Sequence, residues 1–111
     1  MEHAAIAYVE KLGDLPFRLV EARILWGEKR PEEARAALRR TIDLIQGLRA
    51  ERAENFTPLF FLCQAYRLLA SMTIGPERIA ALRHSAATWR SWPETSFTRR
   101  EEQKDLDAAG R

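Results

Sequence analysis

Cys63 and His84 are the one cysteine–histidine pair in this sequence that could form a nucleophile with its base; the second histidine, His3, falls in the first turn of the chain. Such chemistry needs thiol and imidazole within hydrogen-bond reach. Cys63 sits in the most apolar stretch of the chain and reads as a small core residue, while His84 falls on the polar side of its helix. The paired acids Glu32-Glu33 and Glu101-Glu102 are adjacent. Neighbours on a helix point about 100° apart, so neither pair converges on a substrate. Glu101 and Asp105 have the spacing of metal ligands, but two carboxylates alone hold no ion tightly. No glycine-rich phosphate loop occurs. The expectation is a chain without catalysis, cofactor or metal.

The residues with more to offer are cationic and aromatic. Arg83, Trp89, Arg90 and Trp92 gather at the end of one helical segment. Arginine and tryptophan are enriched where partners bind. The competing reading has Trp89 packed in the core and Trp92 plugging a turn. Arg23 and Arg67 are linked differently, through an internal repeat. Aligned 44 residues apart, the 25 pairs from 15/59 to 39/83 contain nine identities, including Leu15/Leu59, Phe17/Phe61, Arg23/Arg67 and Ala36-Ala37-Leu38-Arg39 with Ala80-Ala81-Leu82-Arg83. Equivalent positions in stacked repeats point in similar directions, which makes Arg23 and Arg67 candidates for one ligand-facing surface, with Arg35 and Arg39 beside it.

The elements that must position these residues are helices. Ile6, Val9 and Leu12 mark a first short helix, which Gly13-Asp14 ends. Phe17, Val20 and Ile24 form the packing stripe of a second over residues 15–29, widened by Leu19, Ala22, Leu25 and Trp26. Pro31 opens a third, residues 31–53, with Glu32 and Glu33 at the positive end of its dipole and Ala34, Leu38, Ile42, Ile45 and Leu48 as its core face. Glu32–Arg35 and Arg39–Asp43 have pairing distance along it. Thr57 caps and Pro58 begins a fourth, 58–73, apolar on most sides and so central. A fifth, 76–90, presents Ile79, Leu82, Ala86 and Trp89. A sixth, about 95–108, holds only Phe97 and Leu106 as large apolar residues and suits the polar end of a stack.

Length and composition agree with one small domain, 1–111. Its 46% hydrophobic and 31% charged residues are those of an ordinary folded chain. The net charge is +2, but residues 56–92 carry Arg67, Arg78, Arg83 and Arg90 against Glu77 alone. That band is thinner than the basic stripe of a nucleic-acid binder. A single cysteine permits no internal disulfide and fits a reducing, cytoplasmic setting. No segment reads as a signal peptide or a membrane span.

Phe17 to Gln46 resembles a tetratricopeptide-type helix pair: Ala22 in the first helix, the turn Gly27-Glu28-Lys29-Arg30-Pro31-Glu32-Glu33, then Ala34 and Leu38 in the second. The second unit departs from the pattern at Met72-Thr73-Ile74-Gly75-Pro76 and at Arg78. The period of 44 exceeds the usual 34 and is closer to longer-helix variants found in large bacterial regulators. The resemblance covers about residues 15–92. It implies an all-α fold of five to six helices, antiparallel hairpins stacked as a short right-handed array, with units at about 15–53 and 59–92. It also implies a non-catalytic adaptor or scaffold that takes a peptide or helix of a partner protein in its groove. An acidic partner would suit the arginines. The alternatives are a subunit that pairs with itself, because helix one has no polar cap before it, and, with less support, a nucleic-acid-binding helical domain.

Overall fold

The computed structural model describes residues 2–91, with side chains from Ile6 onward. The sixth helix, Phe97, Leu106, Trp92, the acids at 101, 102 and 105, and the His3 side chain lie outside the described residues. Within them the protein is all-helical: α1 (Glu2–Gly27), α2 (Pro31–Glu51), α3 (Thr57–Ser71) and α4 (Gly75–Arg90). Each helix packs on the next, so α1 and α4 stand at the two ends of a row.

The expected break at Gly13-Asp14 does not occur; α1 is one helix of 26 residues with Pro16 inside it. The reason is a stripe that runs through the glycine. Tyr8, Leu15, Leu19 and Ala22 are buried, and Leu12 and Leu25 pack against the same core. Their spacing of three and four keeps one face of a continuous helix on α2. That burial offsets the hydrogen bond Pro16 cannot donate, a loss of roughly 3 kcal/mol in a helix interior. Asp14, instead of ending a helix, accepts a 2.7 Å bond from Arg18 Nε one turn on.

The packing stripe expected from Phe17, Val20 and Ile24 is also displaced: all three are exposed, as are Ile6 and Val9. α2 follows its sequence pattern, with Ala34, Leu38, Ile42, Ile45 and Leu48 all buried. The pairs expected along it give way to others: Arg30 pairs with Glu33 and Arg39 reaches across to Glu77. α3 is the central helix: it buries Leu62, Ala65 and Tyr66 in the main core, Leu59 is buried as well, and Cys63 lies against Ser85 of α4. Thr57 does not cap it. It is the first helical residue, and its N–H donates to Asn55 Oδ1 at 3.1 Å.

Of the face expected for α4, Trp89 is buried but Ile79 and Leu82 are not. Ala81, Ser85 and Thr88 are also buried. The small Ala81 and Ser85 let α4 approach α3 closely. The Ser85 hydroxyl donates to the Cys63 carbonyl at 3.3 Å, and the Cys63 thiol lies 3.5 Å from the Ser85 carbonyl.

The two hairpin turns are in phase with the repeat. α1 and α3 end at Gly27 and Ser71, and α2 and α4 begin at Pro31 and Gly75, both pairs 44 residues apart. The turns differ in chemistry. In the first, Arg30 N–H donates to Leu25 O at 3.0 Å and Lys29 N–H to Trp26 O at 3.1 Å, with Lys29 at φ 62°. This is a Schellman closure whose left-handed position is filled by lysine rather than glycine. In the second turn Gly75 takes the positive φ, also 62°. Arg35 Nη1 ties α2 to that turn by donating to the Met72 carbonyl at 3.1 Å.

Candidate functional site: a groove between α2 and α4

α2 and α4 flank α3, and the space above α3 between them is open. One cleft of about 390 Å³ has Ile42, Arg39 and Asp43 on its α2 wall, Ala80, Ala81 and His84 on its α4 wall, and Tyr66, Leu69 and Thr73 as its floor. A second, of about 640 Å³, continues it past the α3–α4 turn to Trp26, Glu32 and Arg35; the two share Arg39, Thr73 and Glu77. Together they make one groove with an apolar floor and a charged rim.

Side-chain contacts hold the floor and bridge the mouth. Tyr66 is fixed on both sides: Gln46 Nε2 donates to its hydroxyl at 3.0 Å, and the His84 ring stacks on it at 5.0 Å and 18°. Thr73 turns its hydroxyl back onto the Leu69 carbonyl at 2.9 Å, closing the C-terminus of α3. Across the mouth Arg39 Nη2 reaches Glu77 Oε2 at 3.5 Å, with side chains 53% and 68% exposed. A long, exposed pair of this kind contributes about 0–1 kcal/mol. It spans the groove without locking it. The rim has Arg35 and Arg39 against Glu32, Asp43 and Glu77, so its charge is mixed.

The residues singled out from the sequence fall elsewhere. Arg23 is exposed on α1, and Arg83 and Arg90 are exposed on α4. Arg67 is half-buried on α3 and already has a partner. Trp89 is 5% exposed and belongs to the core; Trp92 lies outside the described residues. None of the five described residues lines the groove. Arg35 and Arg39, named with the Arg23–Arg67 surface, do line it. Trp26, for which the sequence left core and groove both open, stands at its edge, 41% exposed. Tyr66, Leu69 and His84 could not be singled out from spacing alone. Their role depends on α4 turning its small residues inward, which leaves Ala80 and His84 on the groove side.

Cys63 Sγ lies 3.3 Å from Ser85 Oγ, both residues buried, whereas His84 is exposed and stacked on Tyr66. Among the described residues no group of three His, Cys, Asp or Glu is placed to hold a metal ion, and no helix is long and apolar enough to cross a membrane. Compared with known protein families, curated proteins and solved structures, the chain shows no match.

Proposed function

We propose that the protein is a non-catalytic interaction module, a short tetratricopeptide-like array whose α2–α4 groove receives a helix or peptide of a partner protein. The observation that carries this reading is the groove itself. A preformed apolar floor of Tyr66 and Leu69 lies between two helices, and the Arg39–Glu77 ion pair across its mouth is exposed and weak. An amphipathic segment with an apolar stripe suits such a floor, and helix-in-groove binding is a recurring mode of recognition. The array reading is supported by the 44-residue phase of both turns and by Ala22 and Ala34, each fully buried where α1 meets α2. An acidic side chain on the partner would compete with Glu77 for Arg39. The outward arginines of α1 and α4 would contribute to a second, electrostatic contact.

A photoreactive residue at Ala80, on the groove wall, tests the proposal against the same residue at Ala53 near the α2–α3 loop. In the native cell the Ala80 probe should yield a discrete adduct that the Ala53 probe does not. Leu69→Arg, which charges the floor, should abolish the adduct. Equal adducts from both positions, or none from Ala80, would refute the groove. Arg39→Glu should weaken capture of an acidic partner; unchanged capture would remove the acidic part of the reading.

A further inference from the structure

α1 carries a second apolar stripe, which the other described residues leave exposed. Ile6, Val9, Phe17, Val20 and Ile24 are 55%, 65%, 72%, 46% and 55% exposed. With Gly13 they recur at an 11-residue period: Ile6, Val9, Gly13, then Phe17, Val20, Ile24. Eleven residues fill three turns at 3.67 per turn, so the stripe runs nearly straight along the helix instead of winding around it. The face opposite is the buried one that packs on α2. α1 stands at the end of the row, so the helices that cover that inner face do not reach the outer one.

Gly13 is a second, separate observation. In a helix interior glycine costs about 1 kcal/mol relative to alanine. Nothing lies within 4 Å of where its Cβ would be. Packing inside the chain therefore gives no reason for a glycine, whereas close approach of another helix does.

We infer that the outer stripe of α1 seats a second copy of the chain, α1 against α1, antiparallel about a two-fold axis at the level of Leu15. That register sets Ile6 opposite Ile24, Val9 beside Val20 and Gly13 opposite Phe17 of the other copy, each contact made twice. The phenyl ring fills the space the glycine leaves. A parallel pair would instead set Phe17 against Phe17 and leave a void at the two glycines. The stripe offers roughly 500 Å² of apolar surface per copy, at the upper end of what monomers expose. Burying both stripes completely removes about 1,000 Å² from water, the least that a specific interface needs. The contact is self-complementary and closes at two chains. It is separate from the groove, to which α1 contributes only Trp26.

Sedimentation of the full chain from about 1 to 100 μM should show a monomer giving way to a dimer, with a midpoint in the micromolar range. Phe17→Glu should raise that midpoint at least about tenfold while helicity and melting of the monomer stay unchanged, since the side chain lies on the surface. Oxidation gives the register: a mixture of Ile6→Cys and Ile24→Cys chains should cross-link, and neither alone should. The buried Cys63 leaves the parent chain uncross-linked. A monomer throughout would overturn the inference. So would cross-linking of Ile6→Cys with itself, which means a parallel pair. Mass climbing past two chains would also overturn it, in favour of end-to-end stacking of α1 on the exposed Ile79–Leu82 edge of α4.

Discussion

Replacing Gly13 by alanine separates two accounts of the first quarter of the chain. In the continuous helix, Gly13 is an interior residue with ordinary helical φ, because Gly75 is the one described glycine with positive φ. The added methyl meets nothing within 4 Å. Glycine to alanine in such a place stabilises by about 1 kcal/mol. For a domain of this size that raises Tm by roughly 4–8 °C. Were Gly13 instead the left-handed residue closing a separate short helix, the same substitution would cost about 1 kcal/mol, and the shift would reverse. The assay is thermal unfolding followed by circular dichroism at a concentration where the chain is monomeric. The dilution matters, since the same methyl occupies the seat of Phe17 from a second copy and should lower the dimer fraction at high concentration. A lower Tm in the dilute sample would refute the continuous helix.

Other substitutions test the remaining elements. Lys29→Gly should raise stability in urea by about 1 kcal/mol, because glycine relieves the left-handed strain at φ 62°. Gly75→Ala should lower it by a similar amount in the same assay, even though space for the methyl is open. Ile45→Ala, at a fully buried position, should cost about 2–5 kcal/mol of unfolding free energy. Arg39→Gln should change unfolding free energy by less than about 1 kcal/mol, because its partner Glu77 is exposed; a larger loss would mean the groove is locked shut.

The sequence marks some of this architecture and conceals the rest for definite reasons. The α2 stripe is legible because its apolar residues occupy one face only. The hairpin turns are legible through Pro31 and Gly75-Pro76, and the repeat fixes their phase. α1 misleads because it is apolar on two opposite faces, and the outer set, Phe17, Val20 and Ile24, contains the bulkier residues. Size suggests burial, but the partner helix selects Leu15, Leu19 and Ala22, which let it approach closely. α4 misleads in the same way: Ile79 and Leu82 are larger than Ala81 and Ser85, yet the small pair is what α3 packs against. The groove is invisible from spacing because its floor and walls come from three helices whose rotation follows from those choices.

Tyr8 is 4% exposed; its hydroxyl accepts a 3.0 Å bond from Asn55 Nδ2, and Arg52 lies 5.0 Å above its ring. The other end of the Asn55 amide accepts the Thr57 N–H at the start of α3. A single side chain thus joins the early turns of α1 to the first turn of a helix almost fifty residues later. Local opening of the α2–α3 loop releases both at once, so these segments form one cooperative unit in the native-state fluctuations of the protein. Amide protons of α1 around Tyr8 and of the first hydrogen-bonded turn of α3 should then exchange with solvent at a common free energy. A protease admitted by that opening should find α1 and the loop cleavable together, while the core around Ile45 and Leu62 stays closed.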